Sequence, residues 1–157
     1  MDDMPAGDLI ARADAPEGFK LYETRDGLFS SRTGPYFIKG RFPDAVMGVR
    51  ILEHHCNLNR VAHGGLLMSF MDTAIGRAAA ASAQHLCATA SLTSHFLRPV
   101  PIGSWVEGRA KVLKTGKRAV FLRGDLTCDG ELAFTAEGLW QRINVPGREY
   151  PPQGDKP

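Results

Sequence analysis

This chain of 157 residues has few cysteines, no large excess of charge of either sign and no long apolar run. The three cysteines, Cys56, Cys87 and Cys128, include no C-x-x-C pair, so we predict neither a disulfide framework nor a cysteine-based metal site. The chain has 19 basic and 17 acidic residues, and its net charge is only +2. Because the basic residues are dispersed, no nucleic-acid-binding surface is predicted.

An apolar run that could cross a membrane or act as a secretory signal is also missing. Acidic residues stand at positions 2, 3 and 8, and the longest weakly polar stretch, residues 66–83, contains Asp72 and Arg77. We therefore expect a cytoplasmic protein and interpret that stretch as a buried helix. The hydrophobic share of 43% and the charged share of 23% are typical of a globular domain.

Composition divides the chain into one domain and two end segments. Residues 1–17 mix Asp, Ala, Pro and Gly, and residues 144–157 contain four prolines, so both are predicted to be flexible. Residues 18–143 remain as one domain, a length that can bury a core of its own.

Hydrophobic periodicity predicts strands on both sides of one helix. Apolar residues recur at helical spacing from Gly64 to about Gln84, nearly all round the helix, so the helix must be enclosed. The predicted strands cover residues 36–41, 45–53, 88–97, 105–114, 118–127 and 132–143. This order predicts an α+β fold in which a curled antiparallel sheet wraps around one long central helix.

Polar residues and glycines cluster at the predicted start of this helix. The cluster runs from His54 to Gly65 and includes Asn57, His63 and Gly64. Glycines allow a ligand to approach the backbone, and the free N–H groups of a helix start can stabilise a developing oxyanion. The sequence therefore predicts a site for a polarised carbonyl group here.

Asp72 is the acidic residue closest to this site on the same helix. Its apolar neighbours predict substantial burial, which makes it a candidate general base or nucleophile; the alternative is a carboxylate that bonds to Ser69 or Thr73. Eight residues separate Gly64 from Asp72, about 12 Å along a helix. One chain cannot bring both groups to one carbonyl, so a shared site requires a second, antiparallel helix in a two-fold dimer.

The spacing N-x5-HGG-x6-D, formed by residues 57–72, resembles a known family signature. Together with Gly34-Pro35, residues 96–99 and residues 113–117, it resembles the small hot-dog-fold acyl-CoA thioesterases of the phenylacetate-pathway (PaaI) type. These belong to the 4-hydroxybenzoyl-CoA thioesterase superfamily. The resemblance covers about residues 34–143 and implies a hot-dog fold, hydrolysis of acyl-CoA without a cofactor, and a homodimer that can pair into a tetramer.

The resemblance also implies catalytic roles. Gly64 would polarise the thioester carbonyl through its N–H, and Asp72 of the partner subunit would activate water or attack directly. Asn57 would hold the attacking water or the side of the thioester that carries the leaving sulfur. His63 would shape the turn and contact the thioester oxygen. Thr89 would support the nucleophile.

Further residues are candidates for binding the substrate or its coenzyme A. Ser91, predicted to share a strand face with Thr89, is the alternative hydroxyl residue for supporting the nucleophile. The basic residues could neutralise the phosphates of coenzyme A around the turn at Gly116. The complete set is Gly65, Ser91, Arg98, Lys114, Lys117 and Arg118.

Two local expectations remain. Relatives usually have glycine where this chain has Arg60, so we expect Asn59 to take the positive φ of that loop. His54 and His55, at the predicted strand end, would point to opposite faces, so we assign them no catalytic role and expect no metal.

Two other functions stay open on this fold. One is a dehydratase or hydratase, which needs a histidine and an acid acting together. The other is a module that binds acyl-CoA without turnover. The second gains nothing from an anion that faces a thioester, so Asp72 favours an enzyme.

Overall fold

The computed structural model describes residue 11, residues 13–23 and residues 28–150. Its strands and helices alternate as the periodicity predicts. In chain order they are β1 (Lys20–Leu21), α1 (Leu28–Thr33), β2 (Tyr36–Lys39), β3 (Val46–Arg50), a 3-10 helix (Glu53–His55), α2 (Gly64–Ala83), β4 (Cys87–Phe96), β5 (Trp105–Thr115), β6 (Ala119–Cys128) and β7 (Glu131–Arg142).

The seven strands form one antiparallel sheet in the order β1-β2-β3-β5-β6-β7-β4. Strands β5, β6 and β7 are neighbours, as expected for a meander. The sheet curls around α2, which contacts β4, β5, β6 and β7. The predicted α+β hot-dog fold is confirmed. In this order β4 is an edge strand of ten residues.

The central helix α2 lies close to the sheet because glycines face it. A side chain at Gly124 would overlap the Met71 sulfur, and a Cβ at Gly108 would lie 3.3 Å from a Phe70 ring carbon. Phe70, Met71 and Ile75 are fully buried in this layer. Burial of each such side chain contributes about 1.5–3 kcal/mol, so this layer is a main source of stability.

Both ends of α2 agree with the prediction. The helix runs over Gly64–Ala83, and Gln84 follows as a C-cap in the left-handed conformation, with φ of 49°. The Gln84 backbone N–H bonds to the carbonyls of Ala80 and Ala81, which closes the last turn. None of the helices in the described part of the chain is long and apolar enough to cross a bilayer.

The N-terminal segment packs on the outer side of the sheet. Ala13 is fully buried in a cluster with Phe37 and Trp105. The Arg50 guanidinium donates to the carbonyls of Ala13 at 3.0 Å and Asp14 at 2.7 Å. The packed structure therefore begins before the predicted boundary at residue 18. Residues 1–10, 12, 24–27 and 151–157 lie outside the described residues, so the flexibility of the chain ends stays a prediction.

Candidate active site

Hydrogen bonds at the start of α2 leave one backbone donor available. The His63 N–H donates to the His55 carbonyl at 2.8 Å, and the Leu66 N–H donates to the His63 carbonyl at 2.9 Å. The Gly65 N–H donates to His63 Nδ1 at 2.9 Å, so the histidine ring caps the helix. The Gly64 N–H has no acceptor among the residues that the structure describes. The predicted oxyanion donor is thus the one left unpaired.

The His63 cap also fixes the tautomer of its ring. Because Nδ1 accepts a hydrogen bond from Gly65, the proton of the neutral imidazole is on Nε2. The side chain is exposed, so Nε2–H can donate to a ligand at the helix start. The predicted role in shaping the turn has a direct structural basis, whereas a contact with a thioester oxygen stays a prediction.

A cleft of about 340 Å³ opens beside Gly64, between the helix start and the segment that follows β4. Phe96 lies closest to the glycine, and a Cβ at Gly64 would be 3.0 Å from its Cε1. Phe96 is 52% exposed, although its ring contacts that of the buried Phe134 edge to face. Phe96 was part of the recognised pattern but had no assigned role, because its contact with Gly64 depends on the long-range fold.

Asp72 lies two turns further along α2 and bonds to the neighbouring edge strand. Thr89 Oγ1 donates to Asp72 Oδ1 at 2.7 Å. The two predicted residues are therefore brought together. The alternative partners bond elsewhere, since Ser69 Oγ donates to the Gly65 carbonyl and Thr73 Oγ1 to the Ser69 carbonyl.

Asp72 is less buried than predicted. Its side chain is half-buried, because α2 lies beside the open edge of the sheet at β4 and no other part of the described chain covers this side. The apolar periodicity of the helix correctly predicted an enclosed helix, but it could not show that the enclosure ends at one edge.

The prediction that Ser91 shares the face of Thr89 is wrong. Thr89 lies opposite the buried Trp140, whereas Ser91 lies opposite Leu139, so a β-bulge between them turns Ser91 to the outer face of the sheet. Gly138 makes room for the bulge, because a Cβ there would overlap the Ser91 carbonyl oxygen. Ser91 is thus not placed to replace Thr89 within this chain.

Asn57 begins a tight turn that precedes the helix. Its Oδ1 accepts from the Asn59 N–H at 2.9 Å, and its own N–H donates to the Val61 carbonyl at 2.9 Å. The positive φ falls on Arg60, at 58°, and the expectation for Asn59 is wrong. Asn59 is held by the Asn57 side chain, so the left-handed residue is the one just before the turn closes at Val61.

His54 and His55 belong to the 3-10 helix, and the prediction that they point to opposite faces of a strand is wrong. Both Nε2 atoms lie 3.1 Å from the Gly34 carbonyl oxygen. His55 Nδ1 accepts from the Leu52 N–H at 3.0 Å, so its Nε2–H donates to Gly34. Burial, assisted by the neighbouring His54, lowers the pKa of His55 from 6.5 to about 4. His55 is therefore a neutral histidine that supports the loop before α2.

A second cleft, of about 360 Å³, lies on the other side of the helix start. Phe29 and Arg32 of α1 form one wall, and His63, Gly65 and Ser69 form the other. Gly65 is thus one of the residues that line this cleft, and its substrate-binding role stays a prediction. The predicted strands and helix gave no reason to connect α1 with the site.

The basic candidates for coenzyme A binding fall at opposite ends of the sheet. Arg98 follows β4 and forms an ion pair with Glu131 at the β6–β7 turn. Three exposed residues surround the β5–β6 turn: Lys114, Lys117 and Arg118. Because β6 joins these turns with ten residues, about 30 Å separates them. The grouping of Arg98 with the other three around Gly116 is wrong for a single chain.

Comparison with known proteins identifies the family. A family model described as "Thioesterase superfamily" matches residues 59–133. The curated Pseudomonas aeruginosa protein named "Putative esterase PA0474" is 33% identical over an alignment of 132 residues, and the match covers 80% of this chain and 95% of that protein. The chain belongs to the thioesterase superfamily. The resemblance seen in residues 57–72 is therefore confirmed.

Solved structures agree with this membership. A mutant of the phenylacetic acid degradation protein PaaI from Thermus thermophilus is 25% identical, with a TM-score of 0.67 over 73% of this chain and 98% of that one. A protein from Streptococcus pneumoniae described as a "Hypothetical Thioesterase Protein", solved with coenzyme A, is 16% identical, with a TM-score of 0.65 over 69% of this chain and 86% of that one. The second likeness shows the fold alone.

Metal ligands do not gather at this site. Within residue 11 and residues 13–23 and 28–150, no three His, Cys, Asp or Glu side chains lie close enough together to hold a metal ion. The sequence-based expectation that the reaction needs neither metal nor cofactor stays a prediction.

Proposed function

We propose that this member of the thioesterase superfamily hydrolyses acyl-CoA thioesters to a free acid and coenzyme A, in a site shared by two copies of the chain. The observation that carries the proposal is the arrangement on α2. An unpaired N–H stands at Gly64, and a carboxylate held by Thr89 stands two turns further along. The N–H can donate a hydrogen bond to a developing oxyanion, and the carboxylate can accept a proton or attack an electrophilic carbon.

In the proposed reaction, the thioester carbonyl oxygen accepts a hydrogen bond from the Gly64 N–H of one chain. The partner's Asp72 takes a proton from a water molecule as the water oxygen bonds to the carbonyl carbon. The tetrahedral intermediate then collapses, the carbon–sulfur bond breaks, and the proton passes to the departing thiolate of coenzyme A. Direct attack by the carboxylate, through a mixed anhydride that water hydrolyses, would use the same two groups.

The edge strand β4 offers a simple route to the shared site. Gly64 lies beside Phe96 near one end of β4, and Asp72 bonds to Thr89 near the other end. Antiparallel pairing of β4 with its copy, about a two-fold axis near residues 92 and 93, would set Phe96 opposite the partner's Thr89. The partner's Asp72 would then approach Gly64. Such a dimer would also cover the exposed side of Asp72.

Supporting roles follow from the hydrogen bonds of the single chain. His63 would hold the helix start in place through its cap and donate Nε2–H toward the substrate. Asn57 uses its Oδ1 within its own turn, so its amide nitrogen is the group that would contact water or the thioester sulfur. Lys117 and Arg118, exposed at the β5–β6 turn, would meet phosphates of coenzyme A. The setting we propose is the cytoplasm, where the three thiols would remain reduced.

The proposal is tested by thiol release from a panel of aryl, short-chain and medium-chain acyl-CoA thioesters. Replacement of Asp72 by Asn is expected to lower kcat by about 10²-fold or more, because the proton acceptor is lost, while coenzyme A still binds. No thiol release from any thioester in the panel would refute the proposed activity.

The chain offers a matched control on the other face of the sheet. Thr135 Oγ1 donates to Asp125 Oδ1 at 2.6 Å, which reproduces the Thr89–Asp72 pair away from the helix start. Asp125→Asn is expected to leave kcat within about twofold of the wild type, because the pair is remote from the site. Equal losses in the two variants would show that Asp72 acts through stability alone.

A further inference from the structure

The cleft between α1 and the start of α2 contains a cation and no anion. Its volume of about 360 Å³ is that of a small-molecule site. Arg32 contributes to its wall, and none of its lining residues in the described chain is Asp or Glu. The charge of the cleft therefore favours an anionic occupant over a cationic one.

Arg32 also has no counter-ion. Its exposed side chain makes no hydrogen bond or ion pair within residue 11 and residues 13–23 and 28–150. The first cleft, beside Gly64, differs in this respect, because its arginine, Arg98, is paired with Glu131. A ligand at the helix start thus meets one neutralised arginine and one that can still bind an anion.

The side chain of Phe29 adds an apolar surface next to this cation. Phe29 and Arg32 are three residues apart on α1, so they share one face of that helix. Phe29 is 61% exposed, and both residues border the cleft. The exposed ring of His63, whose Nε2–H can donate, is on the wall formed by α2. An occupant that suits these groups has an apolar stem and an anionic end.

The cleft adjoins the proposed oxyanion donor. Gly65 lines it, whereas Gly64 lines the first cleft on the other side of the helix start. A thioester whose carbonyl oxygen bonds to the Gly64 N–H has two arms, the acyl group and the pantetheine of coenzyme A. The two clefts can accept one arm each, and the unpaired arginine lies in the one beside Gly65.

We propose that Arg32 makes the enzyme selective for acyl groups that end in a carboxylate, so that its preferred substrates are dicarboxylic acids joined to coenzyme A through one carboxyl group. The free carboxylate would accept two parallel hydrogen bonds from the guanidinium, and the methylene groups would pack on Phe29. Arg32 is then a specificity residue, remote from the reacting atoms. The inference rests on the proposed thioester hydrolysis and names its substrate class.

The selectivity is tested by thiol release from pairs of thioesters with equal chain length. Pentanoyl-CoA is compared with glutaryl-CoA, and hexanoyl-CoA with adipyl-CoA, after subtraction of the release without enzyme. The wild-type protein is expected to favour the carboxylated member of each pair by about tenfold or more in kcat/KM, the effect of a hydrogen bond to a charged group. Equal values, or a preference for the neutral members, would overturn the proposal.

Variants of Arg32 show whether this residue causes the preference. Arg32→Gln is expected to lower kcat/KM about tenfold for adipyl-CoA and to leave hexanoyl-CoA within about twofold. Arg32→Lys keeps the charge without the fork, so it should retain part of the preference. The matched control is Arg41→Gln, which changes an exposed arginine that lines neither cleft and should leave the preference unchanged. Equal losses for both thioesters in Arg32→Gln would show that Arg32 contacts coenzyme A or supports the fold, and would contradict the assigned role.

A binding measurement separates this inference from the proposed hydrolysis. Analogues in which a methylene group replaces the thioester sulfur cannot release a thiol, and calorimetry gives their Kd. The adipyl analogue is expected to bind about tenfold more tightly than the hexanoyl analogue in the wild type, and equally in Arg32→Gln. This difference in a protein that releases no thiol would refute the hydrolysis and keep the anion-selective cleft. An active enzyme that binds both analogues equally would keep the proposed function and remove Arg32 from it.

Discussion

The Gly64 N–H can be removed without disturbing the rest of the helix start. Gly64 is the first residue of α2, where proline is well tolerated because its ring suits the helical φ and no intrahelical bond is lost. The preceding His63 has ψ of 134°, an extended conformation that a following proline accepts. The substitution Gly64→Pro therefore deletes the one unpaired donor. Loss of a single oxyanion donor lowers kcat by about 10²–10³-fold.

Steric effects need a separate control, because any side chain at Gly64 approaches the Phe96 ring, at 3.0 Å from its Cε1. Gly64→Ala introduces that contact and keeps the N–H, so it reports the steric cost alone. The ring can move aside, since Phe96 is 52% exposed. We expect the proline variant to fall well below the alanine variant in kcat for thiol release. Equal activity of the two would refute an oxyanion role for this N–H.

The same variant tests whether the site is shared. A mixture of Gly64→Pro chains and Asp72→Asn chains that exchange freely would form mixed dimers, each with one site that combines an intact Gly64 with an intact Asp72. With random pairing about a quarter of all sites are intact, so activity should return when two inactive proteins are mixed. A mixture that exchanges subunits but stays inactive would show that each chain works with its own Asp72.

Two further predictions concern the loops before the helix. Arg60→Gly should raise the free energy of unfolding by up to about 1 kcal/mol, because glycine adopts a φ of 58° without strain and the exposed ion pair with Glu53, at 3.7 Å, contributes little. Asn59→Gly, without a positive φ, should lower it; urea unfolding of both variants that gave the reverse order would contradict the assigned turn. The buried His55, with its pKa lowered from 6.5 to about 4, stabilises the fold above pH 6.5 and loses that contribution as the pH falls toward 4. Urea unfolding should show a loss of about 2 kcal/mol between pH 8 and pH 5 that is absent in His55→Gln, and equal losses in both proteins would exclude His55 as the cause.

The sequence was informative wherever a pattern is local. The length of α2 followed from apolar residues at helical spacing, and the structure ends the helix within one residue of the prediction. Strand β5 also follows its pattern, since Val106 and Gly108 are buried while Arg109 and Lys111 are exposed. These elements are specified by neighbours along the chain, so no knowledge of the tertiary fold was needed.

The wrong predictions concern features that depend on residues far away in the sequence. The bulge that separates Thr89 from Ser91 depends on Gly138 in β7, which leaves room for the Ser91 carbonyl. A simple period of two in β4 gave no sign of it. The partial exposure of Asp72 likewise depends on the strand order, because β4 is the last strand of the sheet. The spacing of residues 57–72 predicted the family, but not which side chains face each other across strands.

The free edge of β4 also has a consequence for the solubility of the protein. A lone chain presents a strand of ten residues whose outer backbone groups have no partner in the sheet order of the described chain. Such an edge can join any other exposed strand, including that of a misfolded neighbour. Association in register with an identical strand would remove this hazard. Substitutions that weaken such an association would then reveal themselves as precipitation before any change in chemistry could be measured.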